Sequence, residues 1–422
     1  MKTIASRTGL WLSLDGLAPE GGEPQLWLVR EIQSGITLRS GWMSQQDQTS
    51  FENFLQPIAA LGLPVTQVMS DKQRGLVPAV ATVFSKARHS FCQMHYLRNA
   101  AEGLSAADEA MKIELRQGVR QQVGALIRQE KVEKQGVLTV TGGIPTPVRS
   151  ESPSRTSVVQ EHEEDLRIAQ EAILQDLSRR IRYLLTLKGR PPFRLAGLEM
   201  FERLREVKDC LERWIHPQSH PQLVQLQKGL LAALQLVQSD YVLLRQVANW
   251  LEDIADLLDP AGKPPRSAAQ VEKSLFAYLK KIEALCLEQS DLQPFFHTLH
   301  KTTLSYAPGL FHPYDTPALP RTNNARESDF RDLNRRLLRT TGQKGLTRRS
   351  IQRSGAWELL RHPASLQETI LAFNRVPHQD FIEERQRLRQ HRDRFRLHTR
   401  SAVQSRKQLA NLEQRWANLS PI

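Results

Sequence analysis

Apolar and polar positions alternate in three short runs near the start of the chain. Residues 10–15, Leu-Trp-Leu-Ser-Leu-Asp, end in a carboxylate just ahead of Gly16. Gln25–Ile32 and Gly35–Trp42 follow, and the Gln33-Ser34-Gly35 turn between them reads as a hairpin. Thr49 and Glu52 have the spacing of a capping box, opening a helix that gathers Phe51, Phe54, Leu55 and Ile58 on one face, with Pro57 kinking or shortening it. Val65–Asp71 is a second apolar run that ends in an acid. The pattern then predicts a helix over Leu76–Phe84, a strand about Arg88–Met94 and a helix from about Tyr96. The order is three strands, helix, strand, helix, strand, helix, an α/β arrangement with one Asp on the first strand and another at the end of the fourth.

From about Ala106 the period lengthens to that of helices. Leu166, Ile173, Leu177, Ile181 and Leu184 form one apolar stripe, Phe201, Leu204, Val207 and Leu211 a second, and Tyr241, Leu244, Val247 and Leu251 a third. A further helix is predicted over Ala268–Glu288. Residues 136–157 are rich in Pro, Gly, Ser and Thr and read as a mobile segment. The prolines at 308, 313, 317 and 320 mark Ala307–Pro320 as a loop. Beyond it, Asn324 and Glu327 can cap a helix whose apolar positions are Phe330, Leu333 and Leu337. The domains expected are a core over 1–112, an all-α insertion over 113–310, completion of the core over 311–360, and a basic helical tail over 361–422. The tryptophans at 11, 27 and 42 are expected in the sheet, and Trp214 and Trp250 in helical cores. The tail's arginines are interspersed with Glu383, Glu384 and Asp393, which suits a solvated helix face or a phosphate-contacting one.

Composition sharpens this picture. A chain of 422 residues is long enough for two or three domains, and its net charge is +13 with a pI near 9.8. That excess favours a polyanionic partner, DNA or RNA, although a membrane surface is also compatible. Three widely spaced cysteines (Cys92, Cys210, Cys286) supply no disulfide framework and suit a reducing compartment. The N-terminal apolar run is cut by Ser13 and Asp15, too short for a signal peptide, and no apolar segment reaches the ~18 residues of a membrane span. A cytoplasmic, nucleoid-associated protein with no membrane partner is expected.

Three acids, Asp15, Asp71 and Glu327, suit phosphoryl transfer assisted by two Mg²⁺ or Mn²⁺ ions, because hard carboxylate oxygens leave room for water and phosphate on each ion. No GxxxxGK[ST] and no GxSxG occurs. Glu327 has two readings, as part of such a site or as a cap of its own helix.

Several pieces in order carry a resemblance: Asp15 after an apolar strand, Asp71 followed by Lys72-Gln73-Arg74-Gly75, Cys92-Gln-Met-His95, a long helical insertion, and Asn323-Asn324 before Glu327. Together they resemble the Mutator-like branch of DDE transposases over about residues 10–100 and 310–350. The resemblance implies a ribonuclease-H-like mixed five-stranded sheet interrupted by a large all-α insertion, with the first and fourth strands side by side. It also implies DNA transposition, a recombination in which element ends are cut and the freed 3′-hydroxyl is joined to target DNA by a dimer or larger assembly.

Cys92 and His95 match the family's C-x-x-H pair, with a structural, DNA-proximal or metal-binding role open. Arg321, Thr322, Asn323 and Asn324 sit before a helix N-terminus, where N–H groups favour phosphate or a simple cap. Lys344, Arg348 and Arg349 form a basic loop that would contact DNA backbone. Only fourteen residues precede Asp15, whereas the family carries a DNA-binding region there. Either a separate N-terminal module or the insertion and tail recognise the ends, or the reading frame is truncated. The alternatives are a non-catalytic DNA-binding remnant or scaffold, and a stand-alone nuclease of the same fold.

Overall fold

The computed structural model describes residues 9–17, 24–35, 37–136, 155–215, 219–261, 264–316, 318–323 and 402–418, with isolated positions between 330 and 339 and between 377 and 387. Among the described residues no helix is long and apolar enough to cross a membrane. The chain divides into two compact units, Met1–Glu102 with Trp250–Pro377, and Gly103–Asn249 with His378–Ile422.

The first unit is built on a five-stranded sheet in the order β3-β2-β1-β4-β5, from β1 (Leu10–Leu17), β2 (Gln25–Glu31), β3 (Thr37–Met43), β4 (Val65–Ser70) and β5 (Arg88–Phe91). The first three strands are antiparallel neighbours, and β4 and β5 run parallel to β1. A parallel partner needs a crossover, and the helices α1 (Gln48–Ala59) and α2 (Leu76–Val83) lie in the two connections. The mixed sheet is the α/β class read from the sequence, and it sets β1 beside β4 as a ribonuclease-H-like core requires.

Period-two alternation decides which face each residue takes. Leu10, Leu12 and Leu14 are fully buried, in one cluster with Val68, Phe51, Leu55, Leu76 and Val80. Trp11 belongs to the other cluster, with Met69, Cys92 and Leu319. Ser13 and Asp15 share its parity along β1. Each fully buried Leu contributes roughly 1.5–3 kcal/mol through removal of its surface from water.

Two local expectations are corrected. The N-cap of α1 is Asp47, whose carboxylate accepts a 2.8 Å hydrogen bond from the Ser50 N–H, and the helix is under way before Thr49. The stretch Ala307–Pro320 is largely helical, as α10 (Gln293–Leu310) continues through Pro308 and α11 (His312–Asp315) starts with Pro313 in its first turn. Pro308 removes one N–H near a helix end, where the loss is small, and Pro313 occupies a position that has no intrahelical acceptor for its N–H.

The helix predicted over Ala268–Glu288 forms with those bounds as α9, started by a capping box between Ser267 and Gln270. Helix α10 lies so close to β5 that a Cβ on Gly309 would stand 2.7 Å from the His89 carbonyl oxygen and 2.7 Å from the Phe91 ring. Only glycine permits that approach.

The second unit is helical. It contains α4 (Glu102–Gly136) beyond its first residue, α5 (Arg155–Leu184), α6 (Ala196–Trp214), α7 (Pro221–Leu236), the first half of α8 (Gln238–Leu258) and α12 (Ala402–Ala417), while α3 (Gln93–Ala100) belongs to the first unit. Of the predicted stripes, Ile173, Leu177, Ile181, Phe201, Leu204 and Val207 are at 0% exposure, and Tyr241 is half-buried. Buried Asp108 of α4 accepts the N–H groups of Gly197 and Leu198 at 2.9 and 2.8 Å, satisfying donors that the first turn of α6 otherwise leaves open. Helix α12 buries Leu409, Leu412 and Trp416, and the Trp416 ring stacks on Trp214 with centroids 6.1 Å apart. The segment expected as mobile falls mostly outside the described residues.

Gly309→Ala should destabilise the protein by roughly 1–3 kcal/mol, as overpacking does. Gly124→Ala, whose Cβ would meet nothing nearer than 3.8 Å, should stabilise it by about 0.5–1 kcal/mol through helix propensity. Urea unfolding of the two variants would show shifts of opposite sign; shifts of the same sign would refute the close packing of α10 on β5.

Candidate active site

Asp15 and Asp71 are delivered by neighbouring parallel strands. The β1–β4 ladder pairs Leu12 with Val68 and Ser13 with Met69. Asp15 lies two residues beyond Ser13 within β1, and Asp71 two residues beyond Met69, just past the end of β4, so the two acids occupy corresponding positions along neighbouring parallel strands. Asp15 is 5% exposed, and its carboxylate accepts the Gly16 N–H at 3.0 Å. Asp71 follows the last residue of β4. One of its carboxylate oxygens is buried and has no hydrogen-bond partner among the described residues. Burial pushes the Asp71 pKa up, and the neighbouring His95 and the Gln73 N–H counter it only in part.

The start of α3 supplies the next two residues. Cys92 is its N-cap, 1% exposed, and its backbone N–H donates to the Ser70 carbonyl at 2.8 Å, tying the helix to the end of β4. Burial pushes the Cys92 thiol up, with the Asp15 charge adding to the effect. The Cys92 sulfur accepts the Asn323 N–H at 3.3 Å. His95 lies one turn along α3, close enough to Asp71 to favour its ionised form.

Asn323 closes the arrangement from more than three hundred residues away. Its Nδ2 donates to the Leu14 carbonyl at 3.0 Å, its Oδ1 accepts from the Ser13 hydroxyl at 3.0 Å, and it is 3% exposed. The Arg321 carbonyl accepts the Gln93 N–H at 3.0 Å, while its guanidinium donates to the Leu258 carbonyl at 2.8 Å and to Asp259 at 3.2 Å. Two residues read as DNA contacts are therefore engaged within the fold, Arg321 at the carbonyl end of α8, where a cation is favoured. Thr322 lies between them. Glu327, Asn324, Lys344, Arg348 and Arg349 lie outside the described residues. Among the described residues no three His, Cys, Asp or Glu side chains form a group that could hold a metal ion.

Two further residues adjoin these groups. Tyr306 of α10 accepts from Asn99 Nδ2 at 2.9 Å, and the Asp71 charge joins burial in raising its pKa. The Lys72 ammonium stands 5.5 Å from the Tyr306 ring centroid and hydrogen-bonds Ser305. Nothing local in the sequence announces a helix so distant as part of this wall. His89 of β5 is the second. The Ser70 hydroxyl donates to the Asp71 carbonyl, so the 2.7 Å contact between that hydroxyl and His89 Nε2 requires the ring nitrogen to carry the proton. Burial and the nearby His312 draw the His89 pKa down to about 4.

The described residues thus form a mixed α/β sheet with one acid within β1 and another just past the end of its parallel neighbour β4. The sequence model of the Mutator family of transposases matches residues 36–134. The match runs from β3 into α4 and includes Asp71, Cys92 and His95; Asp15 precedes it and Glu327 follows it. It bears out the resemblance to Mutator-like transposases read from the sequence. No curated protein matches the chain.

The His89 shift has a definite sign. Its folded pKa lies below the ordinary 6.5, so the unfolded chain takes up the proton first and stability is lost as pH falls from about 6.5 towards 4. The slope reaches at most about 1.4 kcal/mol per pH unit. His89→Gln should be less stable than the parent at pH 7 and close the gap by pH 4.5 in urea unfolding. Parallel curves for the two proteins would show that His89 is not held neutral.

Proposed function

We propose that the chain is the catalytic subunit of a DNA transposase, cutting phosphodiester bonds at element ends and transferring the strands with Asp15, Asp71 and Glu327. The observation that carries this reading is the buried Asp71 carboxylate oxygen that has no hydrogen-bond partner among the described residues, on a segment that leaves the parallel neighbour of the strand bearing Asp15. A carboxylate oxygen in that state calls for a proton or a cation. The donor set fits a hard divalent ion, Mg²⁺ or Mn²⁺, held by Asp15, Asp71 and Glu327. Two such ions supply stabilisation of the attacking and leaving oxygens of an in-line displacement.

The chain's own residues support that chemistry in stated ways. His95 offsets part of the upward push that burial gives the Asp71 pKa. Asn323 stands four residues before Glu327 in the sequence and is itself bonded to β1. Its amide both donates and accepts, so it ties down Ser13 and Leu14 without adding a third negative charge beside the acids. The basic surplus of +13 suits DNA as the partner. A dimer or larger assembly follows from the need to bring two element ends together.

Asp15→Asn, Asp71→Asn and Glu327→Gln should each lower Mg²⁺-dependent nicking of a DNA substrate by about a thousandfold or more, roughly 4 kcal/mol of transition-state stabilisation. Asp71→Asn should leave unfolding stability unchanged or raise it by about 1 kcal/mol, because it removes a buried charge that lacks a full set of partners. Wild-type nicking in the Asp15 and Asp71 variants would end the catalytic reading, and a collapse of stability in Asp71→Asn would make that residue structural. Recovery of joined products separates a transposase from a nuclease that only cuts.

A further inference from the structure

The second unit holds a cavity of about 320 Å³, walled by Asp176 and Arg180 of α5 and by Lys407, Gln408, Asn411 and Arg415 of α12. Sites for small ligands begin at about this size. Its deepest cation is Arg180, whose residue is 2% exposed. Nη1 donates to Gln408 at 3.1 Å and Nη2 to the Ser405 hydroxyl. Nε is buried and has no acceptor among the described residues. Both partners are neutral, and among the described residues no carboxylate lies within ion-pair distance of this guanidinium. Glu206 is reached only through Ser405, whose hydroxyl donates to it at 3.0 Å. Burial draws the Arg180 pKa down to about 10, and Glu206 opposes the shift.

The wall carries three cations and one carboxylate. Asp176 is already committed, at 2.7 Å to Arg415 and 3.4 Å to Arg179. What is left on the wall is an excess of positive charge and two side-chain amides, beside a guanidinium that no described carboxylate pairs. An anion with several acceptor oxygens fits that set. Phosphate presents them tetrahedrally and matches the guanidinium fork. A carboxylate offers only two oxygens in one plane.

We propose that this cavity binds a phosphate group, in this protein one belonging to a DNA strand. The DNA source rests on the transposase reading; the phosphate chemistry does not. Such a site holds backbone and reads no sequence. It also gives the tail helix a function beyond packing: α12 supplies Lys407, Gln408, Asn411 and Arg415, and without it Arg180 would face water.

The test uses the full chain, with Lys407→Gln at an exposed position that leaves the fold intact and Arg180→Lys, which keeps the charge and removes the fork. Fluorescence anisotropy with a short labelled duplex is measured across a salt series, together with the thermal midpoint in inorganic phosphate against chloride at equal ionic strength. Lys407→Gln should reduce the slope of log affinity against log salt by about one unit, one phosphate contact fewer. Both variants should bind DNA several-fold more weakly and lose the midpoint rise that phosphate gives the parent. If DNA is bound and nicked while both variants keep the parent's slope and midpoint response, the phosphate site is overturned and the catalytic reading stands. If the parent binds no DNA yet shows a phosphate-specific rise that both variants lose, the site stands with free phosphate as its source, and the transposase reading fails.

Discussion

The parallel pairing of β1 with β4 is the constraint on which the candidate site depends. Two acids 56 residues apart in sequence come onto neighbouring strands because a crossover through β2, β3 and α1 returns the chain alongside its first strand in the same direction. A parallel neighbour in register presents corresponding positions side by side, which puts the acid within β1 and the one just past β4 on the same edge-to-edge row. An antiparallel return would set the end of one strand against the start of the other. A slip of one residue would turn one acid to the opposite face, where Leu14 and Val68 belong to the core packed with α1 and α2.

Burial disfavours the ionised form of Asp71. The surroundings answer with neutral dipoles and one titratable neighbour. The Gly16 and Gln73 N–H groups and His95 face the carboxylates, whereas Asn323 and Ser13 bond to each other and to β1. That division explains the amide at position 323. An aspartate there could accept from the Ser13 hydroxyl but could not donate to the Leu14 carbonyl, and it would place a third charge in the same buried space. The carbonyl of Leu14 also lies within the β1 strand, so the Asn323 bond fixes the backbone that carries Asp15 itself.

Much of this was legible because it is written in local periods. Alternation at Leu10, Leu12 and Leu14 gives the strand and its buried face, and the 3.6-residue stripes through Ile173 and Phe201 give helices whose buried residues are those expected. The family resemblance marked Asp71, Cys92 and His95 together. Local signals misled where two satisfied the same rule. Thr49-Glu52 has capping-box spacing, yet Asp47 lies two residues earlier with a stronger acceptor and a free Ser50 N–H to reach. Prolines 308 and 313 suggested a loop because the sequence does not tell a proline near a helix end from one in its middle. Asn323 was read as a phosphate contact from its neighbours in sequence, and Tyr306 was not read at all. Their partners are over two hundred residues away, and no periodicity reports a contact of that separation.

Asp71 and Arg180 show one logic with opposite signs. Each is a buried charge whose internal partners are mostly neutral and whose hydrogen bonding is incomplete among the described residues. Removing an ion from water costs several kcal/mol even after relaxation, and neutral dipoles recover only part of it. A protein stabilised for its own sake would pair such groups directly, as Asp108 is satisfied by two backbone N–H groups at the start of α6. An acid left short of positive charge and an arginine left short of negative charge are complementary to a metal cation and to a phosphate. On the reading proposed above, a divalent cation and a DNA phosphate are the groups that would relieve these costs, each at its own site.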